Sequence, residues 1–78
     1  MAVATLPMQV HRVDCIPMHL EGSETPHYAL WLHGRLLVPQ TTQPMVDARD
    51  RLQRLGYKGY LELWAVDTPY LFRMEPIN

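Results

Sequence analysis

The chain has 78 residues, with seven basic and eight acidic side chains and a formal net charge of −1. This length is enough for one domain and not for two, so a single domain is predicted over residues 1–78, with residues 1–7 extended or frayed. The balanced charge excludes an overall electrostatic attraction to nucleic acid or to an anionic membrane. The single cysteine excludes an internal disulfide and is typical of a reducing compartment.

Residues 1–7 have neither the basic region nor the apolar stretch of a signal peptide. No apolar run approaches the roughly 18 residues that a transmembrane helix needs. We therefore expect a cytoplasmic protein with no membrane partner.

Strands are predicted in the first half of the chain at residues 8–13 and 28–32. Pro17 limits any continuation of the first strand to an edge or a bulge. His33 and Gly34 follow the second strand and leave two alternatives open. They form the tight turn of a hairpin, with residues 35–38 returning as a short strand, or the chain bends at Gly34 and continues as one long strand.

An amphipathic helix is predicted over residues 43–55. Thr41 or Thr42 can cap its N-terminus, and Pro44 is tolerated in the first turn because an N–H there would have no partner within the helix. Gly56 stands where a glycine commonly ends a helix. The predicted apolar stripe comprises Met45, Ala48, Leu52 and Leu55. The predicted i,i+4 ion pairs are Asp47 with Arg51 and Asp50 with Arg54.

Two further strands are predicted after the helix, at residues 60–66 and 70–75, with a turn at Thr68 and Pro69 between them. The resulting fold class is α+β: a two-layer sandwich in which an antiparallel sheet of four to five strands carries one helix on one face. The elements follow in strand-strand-helix-strand-strand order. This layout is shared by many proteins and implies no function by itself.

One helix covers one face of such a sheet, so the alternation of side chains along each strand predicts an inner and an outer set. The inner set is Tyr28, Leu30, Leu32, Leu61, Leu63, Ala65, Tyr70, Phe72 and Met74. The outer set is Trp31, Tyr60, Trp64, Val66 and Leu71, with Glu62, Arg73 and His33 among them. Large aromatic residues on an open sheet face are typical of interaction sites.

Three explanations of the outer set are open. In the first, the face is covered, because the N-terminal segment crosses it or the sheet curls enough to bury both tryptophans. In the second, the face binds a partner protein or a second copy of the chain. In the third, it forms a groove for a small ligand.

The histidines and the cysteine are the residues that most resemble a metal site. His11, Cys15 and His19 recur every fourth residue, which would align three zinc ligands on a helix. An extended segment is favoured here, and in it they spread over roughly 26 Å, too far for one ion. His27 and His33 add no known zinc spacing. We predict no metal site and no other cofactor.

Catalytic constellations are also missing from the sequence. Cys15 has His11 and His19 as nearby bases along the chain, but nothing orients them. The glycine-rich phosphate-binding motifs and the nucleophile elbow are absent. We therefore predict no catalytic residues and no enzymatic activity.

The main concentration of basic side chains comprises Arg49, Arg51, Arg54 and Lys58. Two of these arginines are predicted to pair with aspartates, so a solvated helix face is expected here rather than a stripe that binds nucleic acid. Stacking of bases on Tyr60 and Trp64 is a weaker alternative.

Taken together, these patterns predict a small non-enzymatic protein that acts by binding a larger protein or protein complex. The predicted contact residues are Trp31, Tyr60, Glu62, Trp64 and Arg73. Stand-alone α+β proteins of this size are typical of phages and other mobile elements, where they inhibit host machinery such as CRISPR surveillance complexes. An anti-CRISPR-like inhibitor is therefore one form of this prediction. The alternatives are a homodimeric structural or adaptor domain, and a weak binder of single-stranded nucleic acid through the same aromatic face.

Overall fold

The computed structural model describes residues 9–66 and 72–78. Its elements in chain order are β1 (Val10–Met18), β2 (His27–Leu32), β3 (Arg35–Thr41), α1 (Pro44–Arg54), β4 (Tyr60–Ala65) and β5 (Phe72–Pro76). The fold is a small α+β fold with one helix on a five-stranded sheet, which confirms the predicted class at that level. The predictions for residues 1–8 and for the turn at Thr68 and Pro69 lie outside the described residues.

The sheet has the strand order β3-β2-β1-β4-β5 and is mixed. β1 pairs antiparallel with β2, and β2 with β3, whereas β1 and β4 run parallel. The prediction of a purely antiparallel sheet is therefore wrong. The reason is the chain topology. β3 runs parallel to β1 because β1 pairs antiparallel with β2 and β2 with β3. α1 then returns the chain to the edge of the sheet where β1 begins, so β4 runs parallel to β1.

Three strands precede the helix, so the predicted strand-strand-helix-strand-strand order is also wrong. Of the two alternatives at His33 and Gly34, the structure shows the hairpin. Both residues have positive φ, 51° and 76°, as the central residues of a type I′ turn require. Leu32 and Arg35 pair directly across this two-residue loop.

Pro17 lies within β1 at a point where, among residues 9–66 and 72–78, the strand is paired on one side only. The pairing of β1 with β4 ends at Cys15, while its pairing with β2 continues to Met18. A proline N–H is therefore not needed on the open side. This confirms the prediction that the continuation of the first strand past Pro17 is edge-like.

The start of α1 differs from the prediction. Gln43 is the N-cap residue, and its side chain makes no capping hydrogen bond, so neither Thr41 nor Thr42 is the N-cap. Thr41 is instead buried beside the first turn. Its Oγ1 accepts the N–H of Gln43 at 2.8 Å, and its hydroxyl donates to the carboxylate of Asp47. Asp47 is thus bound by Thr41, whereas the predicted pair of Asp50 with Arg54 is present at 3.1 Å.

The end of α1 confirms the assignment of Gly56. This glycine has a φ of 85°, and its N–H donates to the carbonyl of Gln53 at 3.0 Å. The N–H of Tyr57 donates to the carbonyl of Leu52 at 2.9 Å. These two bonds define a Schellman motif, and they turn the chain from the helix toward β4.

The core lies between α1 and one face of the sheet. Its buried residues are Val13, Cys15, Leu30, Leu32, Leu37, Ala48, Leu52, Leu61 and Ile77. The helix contributes Ala48 and Leu52, with Met45 packed at the margin, while Leu55 is exposed at the C-cap. The predicted stripe therefore ends at Leu52.

The two sides of β5 are the reverse of the prediction. Arg73 lies opposite Leu63 and Glu75 opposite Leu61, so both charged residues share the helix side of the sheet. Met74 lies opposite Glu62, on the other side. α1 packs against β2, β3 and β4. β5 is an edge strand beside the helix rather than beneath it, so long charged side chains on its helix side reach solvent at the rim.

Candidate binding face

The sheet face opposite α1 is the candidate functional site, and we call it the outer face. Its side chains follow from the pairing register, because directly opposed residues project to the same side of a sheet. Its described members include Val10, Arg12, Asp14, Ile16, Met18, His27, Ala29, Trp31, Leu36, Tyr60, Glu62, Trp64, Met74 and Pro76. No other described element lies across these residues.

Four of the five predicted contact residues share this face. Trp31, Tyr60, Glu62 and Trp64 project from β2 and β4 on the side away from α1. The prediction for Arg73 is wrong, because its register opposite Leu63 places it on the helix side. His33 is exposed in the turn between β2 and β3, and Val66 is exposed beyond the end of β4. Leu71 lies outside the described residues.

A row of residues crosses the middle of the outer face. Asp14 of β1 lies directly between Trp31 of β2 and Trp64 of β4, and Leu36 of β3 lies on the far side of Trp31. Since neighbouring strands are about 4.8 Å apart, the two tryptophan backbones are separated by about 10 Å, with one carboxylate between them.

Arg12 occupies one half of this row. Its guanidinium carbon lies 4.4 Å from the centroid of the Trp64 ring, within the range of a cation–π interaction. Its Nε donates to Oδ1 of Asp14 at 2.9 Å. The indole Nε1 of Trp64 makes a longer hydrogen bond of 3.4 Å to Oε1 of Glu62. One guanidinium is therefore held by an aromatic ring and a carboxylate at the same time.

The charges of the outer face do not cancel. Its described residues contribute two carboxylates, Asp14 and Glu62, and one guanidinium, Arg12. Because Arg12 is already paired with Asp14, the face presents a net negative charge between its aromatic residues.

Aliphatic side chains surround the aromatic row. Val10, Ile16, Leu36 and Met74 are each between 38% and 49% exposed. The tryptophans and Tyr60 are half-buried, because large rings lie partly against their neighbours on the sheet. The face thus combines an aromatic and charged centre with an apolar margin, which is the composition of many protein interfaces.

Sequence reasoning missed most of this margin and the charged centre. The predicted first strand ended at residue 13, so Asp14 and Ile16 were not assigned to the sheet. The alternation of Val10 and Arg12 on one side of that strand was the available signal, and continuing it by two and four residues identifies Asp14 and Ile16. Leu36 required the hairpin alternative, and Met74 required the correct orientation of β5.

The histidines and the cysteine are dispersed over the molecule. Nε2 of His11 donates to the carbonyl of Lys58 at 3.0 Å, and its ring packs edge-on against Tyr57 at 4.8 Å. Cys15 is buried in the core, whereas His19 is exposed beyond the end of β1. Within residues 9–66 and 72–78, no three side chains of His, Cys, Asp or Glu are grouped closely enough to hold a metal ion.

The basic residues of the helix are largely paired with acids. Arg49 donates to Glu75 of β5 at 2.9 Å, and Arg54 pairs with Asp50. These pairs agree with the interpretation of this surface as a solvated helix face.

Comparison with known proteins adds no relative. No protein-family model, curated protein or solved structure matches this chain. In the described part of the chain, no helix has both the length and the apolar character needed to cross a membrane.

Proposed function

We propose that this domain acts by binding another protein through its outer face, and that it is a binding protein rather than an enzyme. The observation that carries the proposal is the juxtaposition of Trp31, Asp14 and Trp64 in one row, with exposed aliphatic residues around it. Tryptophan and arginine are the residues most enriched among interface hot spots. A partner that covers the margin would exclude water from this centre and strengthen its polar contacts.

The charge of the outer face supports a protein partner over nucleic acid. Single-stranded nucleic acid bound to a sheet stacks its bases on aromatic rings while basic side chains neutralise its phosphates. Here the aromatic rings stand beside Asp14 and Glu62, and Arg12 is already neutralised by Asp14. Phosphates would therefore be repelled at the place where bases would have to stack.

The proposal is tested with two matched double variants. Leu36→Gln with Met74→Gln makes the margin of the outer face polar without touching the core, since these side chains are 49% and 43% exposed. Val46→Gln with Leu55→Gln makes the same change on the helix, where the side chains are 48% and 51% exposed. Each tagged protein is used for affinity capture from source cells, followed by quantitative mass spectrometry.

We expect the outer-face variant to lose the captured partner by tenfold or more, because a polar group that is left without a hydrogen bond in an interface costs about 1–3 kcal/mol. The helix variant should keep the partner at the wild-type level. Circular dichroism checks that both variants are folded. Retention of the partner at the wild-type level by the outer-face variant would refute the proposal.

A homodimer is the second candidate, because the outer face has groups that complement each other. Arg12 and Glu62 are in register on adjacent strands. If two outer faces pack on each other about a two-fold axis that lies between them and parallel to the strands, the guanidinium of each copy comes toward the carboxylate of the other. Analytical ultracentrifugation of the wild type and of the Leu36→Gln, Met74→Gln variant tests this. A wild-type dimer that this variant dissociates would favour the homodimer over a larger partner.

We further propose the kind of partner and the compartment in which the protein acts. The partner is a larger protein or complex that this chain inhibits, as small proteins of phages and mobile elements do, which is supported by size and layout. The protein acts in the cytoplasm, which is supported by its single cysteine.

A further inference from the structure

We propose that the partner inserts an arginine side chain that stacks on Trp31 and pairs with Asp14. This inference rests on the proposed function and specifies the chemistry of the partner at the centre of the outer face. It follows from a difference between the two sides of Asp14: Arg12 occupies the side toward Trp64, whereas no described cation occupies the side toward Trp31.

The side of Asp14 toward Trp64 already holds a guanidinium. Arg12 stacks over the Trp64 ring at 4.4 Å while its Nε bonds to Asp14 Oδ1 at 2.9 Å. A planar guanidinium satisfies both partners at once, because its face packs on the ring while its edge donates to the carboxylate. The chain itself therefore demonstrates which group this combination of tryptophan and aspartate accepts.

The side of Asp14 toward Trp31 has the same elements without the cation. Trp31 is directly opposite Asp14 across β1 and β2, as Trp64 is across β1 and β4. Among residues 9–66 and 72–78, no cation stacks on Trp31 and no donor bonds to Oδ2 of Asp14. The Asp14 side chain is 36% exposed, so a group from outside can reach it.

The charge balance selects a cation for this position. Asp14 and Glu62 exceed Arg12 by one negative charge on the outer face, and one added guanidinium would neutralise it. Arginine fits better than lysine, because the residue directly opposite Asp14 on β2 carries a flat aromatic ring. A planar, weakly hydrated group stacks there, whereas an ammonium group would have to give up tightly bound water.

The experiment uses N-acetyl-arginine amide as the probe and N-acetyl-citrulline amide as the neutral analogue of nearly the same shape. Each is titrated into the full chain labelled with 15N, at constant ionic strength, up to about 50 mM because a single side chain binds in the millimolar range. The indole N–H signals of Trp31 and Trp64 are followed by NMR and assigned with Trp31→Phe. We expect the arginine amide to shift the Trp31 signal in a saturable way, with at least about tenfold tighter binding than the citrulline amide.

Two variants test the role of the carboxylate. Asp14→Asn removes the charge between the tryptophans and should weaken binding of the arginine amide at Trp31 by about tenfold or more. Glu75→Gln is the matched control, since it removes a carboxylate that pairs with an arginine at a similar distance but on the helix side. It should leave the titration unchanged.

A third variant tests the premise that Arg12 fills an equivalent position. Arg12→Met removes the guanidinium that stacks on the Trp64 ring and bonds to Asp14 Oδ1, so the arginine amide should then shift the Trp64 signal as well. Absence of this second response would contradict the proposed chemistry.

Equal binding of the citrulline amide, or no saturable response to the arginine amide, would overturn the inference. Either result leaves the proposed function standing if the Leu36→Gln, Met74→Gln variant still loses its partner. Conversely, a normal arginine titration together with unchanged partner capture by the Leu36→Gln, Met74→Gln variant would refute the proposed function, although the position between Trp31 and Asp14 would still be shown to bind a guanidinium. The two failures are therefore distinguishable.

Discussion

Gly59 lies where the loop after the helix passes directly over the backbone of Gln9. The carbonyl of Gln9 accepts the N–H of Tyr60 at 2.9 Å, and the carbonyl of Gly59 accepts the N–H of Ile77 at 2.9 Å. A Cβ built on Gly59 would lie 2.4 Å from the carbonyl oxygen of Gln9, and the φ of Gly59 is 97°. This residue thus allows the starts of β1 and β4 and the C-terminal segment to meet.

Gly59→Ala should lower the free energy of unfolding by about 2–5 kcal/mol, from a positive φ that costs an alanine about 1–2 kcal/mol and a backbone overlap that adds about 1–3 kcal/mol. Gly22→Ala is the matched control, because Gly22 also has a positive φ of 81° but nothing within 4 Å of its Cβ position. Gly22→Ala should lose only the contribution of the positive φ, about 1–2 kcal/mol. Urea denaturation measures both variants, and equal losses would contradict the role of the close approach.

At the scale of single elements, the helix was the most predictable part. Gly56 ends α1 as expected, because the Schellman bonds are local and depend on a residue that adopts positive φ. The hairpin at His33 and Gly34 was one of two alternatives, since a histidine adopts positive φ less readily than asparagine or glycine. The N-cap was misassigned because the hydroxyl of Thr41 acts from a buried position two residues before the cap.

Thr41→Val should therefore destabilise the domain by about 1–2 kcal/mol, because it removes the acceptor for the Gln43 N–H and the donor to Asp47 with little change in shape. Thr42→Val, at the neighbouring exposed position, should change the stability by less than about 0.5 kcal/mol. Thermal denaturation followed by circular dichroism compares the two. A larger loss for Thr42→Val would contradict the role of Thr41 in stabilising the start of α1.

The orientation of β5 was the least predictable feature of an element. Its sequence alternates charged and apolar residues, which favoured an inward Met74 and an outward Arg73. The structure reverses this, because β5 is an edge strand at the rim of the helix layer and Glu75 is drawn to Arg49. For the candidate site, this exchange replaces a predicted arginine by an exposed methionine.

At the scale of the whole molecule, Ile77 closes the core from the C-terminal side. It is fully buried although it follows Pro76, the last residue of β5. Its N–H donates to Gly59, and its carbonyl accepts from the side chain of Gln53 on the helix. One residue near the end of the chain therefore connects the helix, the loop before β4 and the sheet.

Ile77→Ala should cost about 2–5 kcal/mol, the usual range for truncation of a buried isoleucine. Since a domain of this size has a margin of roughly 3–5 kcal/mol, this variant should lose most or all of its stability. Ile77→Val should cost about 0.5–1.5 kcal/mol and stay folded, which keeps the effect measurable by chemical denaturation. Asn78→Ala is the exposed control, and a stability of Ile77→Val equal to that of Asn78→Ala would contradict the proposed closure.

The sequence by itself determined the helix, the strand content and the presence of aromatic residues on a sheet face that the helix leaves open. These features depend on interactions between residues a few positions apart, such as capping, turn formation and side-chain alternation. Only the tertiary structure decided that β4 pairs parallel to β1, and with it that Asp14 stands between Trp31 and Trp64. That row is built from three strands that are distant in the chain, and the pairing of distant strands is selected by how the whole core packs rather than by any local pattern.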